Sequence, residues 1–207
     1  MGNGFGRGEA LALLQEWTVS ESLRKHGMAV SVCAEAYGRR EAERLGLTGA
    51  EADAFVERYA AAGLLHDMDY ERHPSLEQHP FVGVAHLREL GWPEEILQAI
   101  LAHADYSGVA RESHLDKALF ACDELAGFLT ACALVKPTKS IREVEVAGVK
   151  KKMKDKAFAR AVKREDITGV AELLGIPLEE HIGNCLTAMQ ERAEELGLAG
   201  VVSESAS

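Results

Sequence analysis

Several features are missing from this chain, and each absence removes a class of protein. Its four cysteines stand at 33, 122, 132 and 185, and no two form a C-x-x-C pair. That spacing fits reduced thiols better than a disulfide framework or a zinc knuckle. No apolar run approaches the roughly 18–20 residues that a membrane span needs. The N-terminal Met1-Gly2-Asn3-Gly4-Phe5 lacks a basic stretch followed by an apolar one, so no signal peptide is expected. A soluble, cytoplasmic protein is the expectation. Excess positive charge is also lacking: 23 Lys and Arg face 33 Asp and Glu, a net charge of −10. This disfavours nucleic acid as a partner, but it leaves room for a local basic site that takes a phosphorylated small molecule. Strand patterning is nearly absent. Only Ile141-Arg142-Glu143-Val144-Glu145-Val146 alternates, and a lone strand has nothing to pair with. There is no internal repeat.

What remains reads as helix almost throughout. Of 207 residues, 47% are apolar and 27% charged, enough for one globular core with a helical appendage. The first helix spans about 7–17. Thr18 or Ser20 caps a second, in which Leu23, His26, Val30, Cys33 and Tyr37 recur at steps of three and four. A break at Gly46-Leu47-Thr48-Gly49 precedes a third helix over about 50–67, with Phe55, Tyr59, Ala62 and His66 on one face. The polar stretch 69–80 is a loop. A fourth helix covers about 80–90, and Pro93 opens a fifth at its first position, with Ile96, Ile100 and His103. A sixth covers about 113–134 and carries Leu115, Leu119, Cys122 and Asp123. One or two short helices are expected over 141–164, then helices at about 165–174 and 177–196. The fold expected is all-α: a helical core over 1–140, a C-terminal helical extension over 141–200 packed on it, and a flexible tail over 201–207.

Three metal-competent residues fall on apolar faces of separate helices: His26, His103 and Asp123. A further helix ends in His66-Asp67, and His79 opens another. An imidazole or carboxylate facing a core is costly unless something binds it. A divalent metal is one such thing, and N/O ligands without thiolate suit zinc, iron, manganese, nickel or cobalt. Taken singly, each histidine is more often a hydrogen-bonded core residue than a ligand, so the case rests on their joint occurrence in order. Neighbours on a helix point about 100° apart and rarely meet one ion in mid-helix. At a helix end the backbone is free to turn, and Asp67 can then grip one ion while its second oxygen reaches another.

The ordered set His26, His66-Asp67, His79, His103 and Asp123 resembles the signature of the HD superfamily of metal-dependent phosphohydrolases. Ala62-Gly63-Leu64-Leu65-His66-Asp67 is similar to the small, apolar approach to that family's His-Asp pair. His79-Pro80-Phe81-Val82-Gly83 is similar to its H-P-x-x-G element. The resemblance covers about residues 20–135, and it extends to the small bacterial subgroup of predicted HD hydrolases. It implies an HD-domain helical bundle. It also implies one or two divalent ions (Mn, Fe, Ni, Co, Zn or Mg): His26, His66, Asp67 and Asp123 around the first, and His79 and His103 joining Asp67 around the second. A metal-activated water as nucleophile and a phosphorylated small molecule, such as a nucleotide or phosphate ester, as substrate follow from the same resemblance. The chain departs from the family after the pair, where Met68-Asp69-Tyr70 replaces a triplet that often carries a lysine. Asp69 then stands as either a catalytic base or a group supporting a ligand.

The strongest charge anomaly is Lys150-Lys151-Lys152-Met153-Lys154-Asp155-Lys156, with Arg160, Lys163 and Arg164 beyond. One reading is a phosphate clamp in which Lys151 and Lys152, with Lys136 and Lys139, supply the missing cation. A solvated helix face is an equal reading. The run has no aromatic residues, which weakens a nucleic-acid role. His73, His86, His114 and His181 read as packing or exposed residues, and Glu71 and Asp105 as carboxylates that support a site. Two other functions stay open: an HD-like diiron oxygenase, and a ligand-binding HD module without catalysis. Oligomeric state is open too, a homodimer included.

Overall fold

The computed structural model describes residues 5–200. Ten α-helices and no strand occur among them: α1 (Arg7–Trp17), α2 (Glu21–Leu45), α3 (Gly49–Leu65), α4 (Phe81–Glu89), α5 (Glu94–His103), α6 (His114–Leu134), α7 (Val146–Met153), α8 (Arg164–Thr168), α9 (Val170–Leu174) and α10 (Leu178–Glu191). The fold is all-α, as expected. The tail over 201–207 lies outside the described residues. No described helix is long and apolar enough to cross a membrane.

Helix ends fall where local chemistry puts them. Ser20 caps α2 by accepting from the Leu23 amide, and Gly46 ends it with φ 73°, a left-handed value that glycine adopts without a Cβ penalty. At α6 a capping box closes: Ser113 Oγ accepts from the Asp116 amide at 3.1 Å, and Asp116 Oδ2 accepts from the Ser113 amide at 2.9 Å. Pro93 is the cap residue before α5 rather than its first residue. The expected helix over 165–174 is two short ones, α8 and α9.

α2 and α3, joined by a short turn, pair antiparallel and form the tightest seam of the molecule. Small residues make it possible. A Cβ at Gly63 would lie 2.5 Å from the Ser31 Cα and 2.7 Å from its nitrogen, and one at Gly38 would lie 2.8 Å from the Tyr59 ring. The run Ala60, Ala61, Ala62, Gly63 is fully enclosed there. α6 crosses the middle of the bundle against α2, α5 and α10, and buries Leu119, Leu125, Phe128 and Leu129 completely. Each such side chain contributes about 1.5–3 kcal/mol of transfer free energy. The segment after 140 shares this core through Ile141, Val149, Ile167, Ile182 and Met189.

Candidate metal centre

Five chain segments deliver ligating atoms to one point. His26 comes from the second turn of α2, and Asp123 from the middle of α6. His103 is the last residue of α5. His79 precedes α4, joined to Pro80 by a cis peptide bond. His66 and Asp67 follow α3, which ends at Leu65, so the pair sits where the backbone leaves the helix.

Asp67 is the centre of the arrangement. Its Oδ2 lies 3.4 Å from His66 Nε2 and 3.8 Å from His26 Nε2. Its Oδ1 lies 3.2 Å from His79 Nε2 and 3.5 Å from His103 Nε2. Asp123 Oδ1 closes the first group, 2.9 Å from His26 Nε2 and 3.5 Å from His66 Nε2. Ligands about 2.1 Å from one ion lie roughly 3.0–3.4 Å apart in octahedral or tetrahedral geometry. The observed separations bracket that spacing. Two sets therefore share one carboxylate: His26, His66 and Asp67, and Asp67, His79 and His103.

The imidazoles are aimed by what their other nitrogen holds. His66 Nδ1 donates to the Gly63 carbonyl at 2.8 Å and His103 Nδ1 to the Ile100 carbonyl at 2.5 Å. His79 Nδ1 donates to Asp69 Oδ1 at 2.7 Å. In each case Nδ1 keeps its proton, so Nε2, which faces Asp67, is the nitrogen that can bind a metal once it is deprotonated. His66 Nε2 is buried and hydrogen-bonds to nothing. An unsatisfied nitrogen in the interior is costly, and a cation between it, Asp67 and Asp123 relieves that cost. The residues present fit a divalent ion.

Electrostatics agree. Burial opposes charge on all these groups, yet charge wins through their neighbours. Asp67 and Asp123 raise His66 well above the ordinary histidine value. His66, with hydrogen bonds from His103 and His79, holds Asp67 well below the carboxylate range. His66 and His26 hold Asp123 down likewise. His79, bonded to Asp67 and Asp69, is pushed up to about 9. Two half-buried carboxylates demand positive charge at this point, whether from protons or a cation.

Above the cluster opens a cavity of about 300 Å³. His79, His103 and Asp123 form its inner end, and Tyr70, Tyr106, Phe120, Lys163 and Asp166 are in its walls. Burial and the Asp123 charge push the Glu124 carboxyl upward, and Glu124 Oε2 accepts from the Lys163 backbone amide at 3.1 Å.

All six expected ligands are brought together. Asp69 is placed behind them: it is 1% exposed, Oδ1 accepts from His79 and Oδ2 accepts from the Gly83 amide at 2.7 Å. Held by both oxygens and almost without exposure, it supports His79, and it does not line the cavity where a catalytic base would act. Lys136, Lys139, Lys151 and Lys152 do not line the cavity. α6 carries Lys136 and Lys139 beyond its far end, more than ten residues past Asp123, or about 15 Å of helix rise and more. α7 packs on α10 and turns Lys151 to solvent, while Lys152 Nζ sits 4.3 Å over the Phe158 ring. The cation that does line the cavity is Lys163, a later member of the same basic stretch. Arg164 next to it is structural, its guanidinium donating to the Met153, Asp155, Phe158, Ala159 and Val162 carbonyls.

The remaining polar candidates lie elsewhere, except Asp105, which lines the cavity and pairs with Arg111. Glu71 accepts from the Val19 and Ser20 amides at the start of α2. His86 packs on Trp17 with ring centroids 4.7 Å apart, and His73 flanks the same ring. His114 bonds Tyr59, and His181 is fully buried against Tyr37.

The profile of the HD domain matches residues 25–127, a span that holds every one of the six ligand candidates. No curated protein and no solved structure matches the chain. HD domains bind divalent metals, and this chain has the His and Asp groups to hold them. Residues 25–127 carry an HD domain, the domain of a superfamily of metal-dependent hydrolases.

Proposed function

We propose that the protein hydrolyses a phosphate ester of a small molecule, using one or two divalent ions held by His26, His66, Asp67, His79, His103 and Asp123. The observation that carries this reading is the division of Asp67, whose two oxygens face two separate imidazole groups. A carboxylate placed that way suits a pair of ions flanking an in-line displacement at phosphorus. Such ions supply Lewis acidity toward phosphoryl oxygens and a nucleophile at neutral pH.

The chain's own residues do the rest. Asp69 fixes the His79 ring through Nδ1, and the carbonyls of Gly63 and Ile100 do the same for His66 and His103. Lys163 is the one lysine among the described residues lining the cavity, and its ammonium would be the group to hold a phosphate oxygen. Tyr70 and Tyr106, each partly exposed, stand beside the opening, and with Phe120 and Leu76 they offer apolar surface to the rest of the substrate.

The test is elemental analysis of protein purified without oxygen, followed by a screen of phosphorylated metabolites with Mn²⁺, Co²⁺ and Mg²⁺. Metal content with turnover of a phosphate ester, both lost in Asp67→Ala, is the expected result. Metal without turnover of any ester overturns the reading, and bound iron with oxygen uptake replaces it by the oxygenase alternative.

A further inference from the structure

A second cavity lies on a different part of the bundle, between α2, α6, α9 and α10, and nothing in the metal chemistry uses it. Its volume is about 590 Å³, larger than the 300 Å³ above the metal ligands, and inside the range of roughly 300–1,000 Å³ typical of small-molecule pockets. The two open at different places, though α6 lends Lys117 to one and Phe120, about one turn on, to the other. Tyr37, Arg40 and Arg44 follow His26 by 11, 14 and 18 residues along one continuous helix, or about 17–27 Å of rise.

The wall is chemically divided. Leu173, Leu174 and Ile176 give an apolar side. Opposite stand three cations with unequal freedom. Arg44 is neutralised by a two-pronged bond to Glu41, at 2.6 and 2.7 Å. Arg40 reaches Glu180 only at 4.0 Å. Lys117 has no carboxylate partner among the described residues. Positive charge is thus left over, in a chain with a net charge of −10.

Polar groups in the wall are also incompletely used. His181 Nε2 donates to the Ala121 carbonyl at 2.9 Å, so its Nδ1 is the acceptor for the Tyr37 hydroxyl at 2.6 Å. That hydroxyl's donor is spent, and its oxygen can still accept. Asn184 stands beside it with Nδ2 hydrogen-bonded to nothing.

We propose that this cavity is a second ligand site, for a small amphipathic anion: one carboxylate, sulfonate or phosphate group on an apolar body. The anionic group meets Lys117 and Arg40, and the body lies on Leu173, Leu174 and Ile176. A purely apolar ligand leaves Lys117 unmatched and Arg40 held only by Glu180 at 4.0 Å, and a bare inorganic anion leaves the apolar wall wet.

The experiment uses the full chain and 8-anilinonaphthalene-1-sulfonate as probe, with N-phenyl-1-naphthylamine as its uncharged counterpart. Fluorescence titration should give one saturable site for the sulfonate. Its affinity should fall at least about tenfold in Arg40→Glu/Lys117→Glu and stay unchanged in Lys163→Glu, which alters the other cavity. The uncharged probe should bind at least about tenfold more weakly than the sulfonate to the wild type. That last comparison needs no substitution and is independent of any folding defect. Equal affinity for the two probes, indifference to the double substitution, or loss in Lys163→Glu instead would each overturn the proposal.

Discussion

Gly63→Ala should destabilise this protein although it replaces a poor helix former by the best one. In an exposed helix interior the change is worth about 1 kcal/mol in favour of alanine. At Gly63 the added carbon meets the Ser31 Cα at 2.5 Å, the Ser31 nitrogen at 2.7 Å and the Val30 carbonyl carbon at 3.0 Å. These are backbone atoms of α2 and cannot rotate away, so α2 and α3 must part by about 1 Å to restore van der Waals contact. Overpacking of this kind costs about 1–3 kcal/mol, and contact with backbone rather than with movable side chains puts it at the upper end. The net loss is about 2 kcal/mol, or roughly 4–8 °C in melting temperature for a chain of this size. Separation also moves His26 on α2 away from His66 and Asp67 beyond α3, so metal affinity at that ligand set should fall with stability. Gly148 in α7 has nothing within 4 Å of its would-be Cβ, and Gly148→Ala should stabilise by about 0.5–1 kcal/mol. Thermal unfolding of both variants with a Mn²⁺ titration is the assay. A Gly63→Ala protein as stable as the wild type would refute the close-contact argument.

Asp69→Asn should weaken metal binding by about 10–100-fold without loss of helix content. Asparagine offers one acceptor where Asp69 meets two donors, the His79 ring and the Gly83 amide; unchanged affinity in an isothermal titration would remove its role behind His79. Lys163→Ala should raise KM for a phosphate ester by about tenfold with metal content intact, whereas Lys151→Ala/Lys152→Ala should leave the kinetics alone. The reverse ranking would return the phosphate contact to α7. His181 is buried and its folded value is depressed to about 4 from 6.5, by burial against the bond to the Ala121 carbonyl. The unfolded chain therefore takes the proton first as pH falls. Stability from this group is complete above about pH 6.5 and drains away toward pH 4, by about 3 kcal/mol. Urea unfolding at both ends of that window should show a smaller pH loss in His181→Gln, and an equal loss would assign the effect elsewhere.

How much of this could be read from the residues alone differs by the kind of question. The ligands were legible only as an ordered set: His26, His103 and Asp123 each stand on an apolar helical face, a costly place for them, and the resemblance to the HD signature joined them to His66, Asp67 and His79. Helix ends were legible where Ser20, Gly46 or Pro93 marked them, because those preferences are local. The role of Asp69 was left between two choices, since its partners His79 and Gly83 lie ten and fourteen residues on and meet it only through the turn before α4. The basic stretch misled in a specific way. Lysines at 150–156 catch the eye by number, but α7 packs on α10 and directs them to solvent or onto Phe158. Lys163 reaches the metal cavity because Arg164 gathers five carbonyls of the irregular segment before it and Glu124 holds its amide. No periodicity encodes that. A metal ligand is announced by the cost of burying it, whereas a substrate cation is content in water wherever it falls. Only the tertiary course of the chain decides which of many lysines stands beside the site, and the same holds for Lys117 and Arg40 at the second cavity.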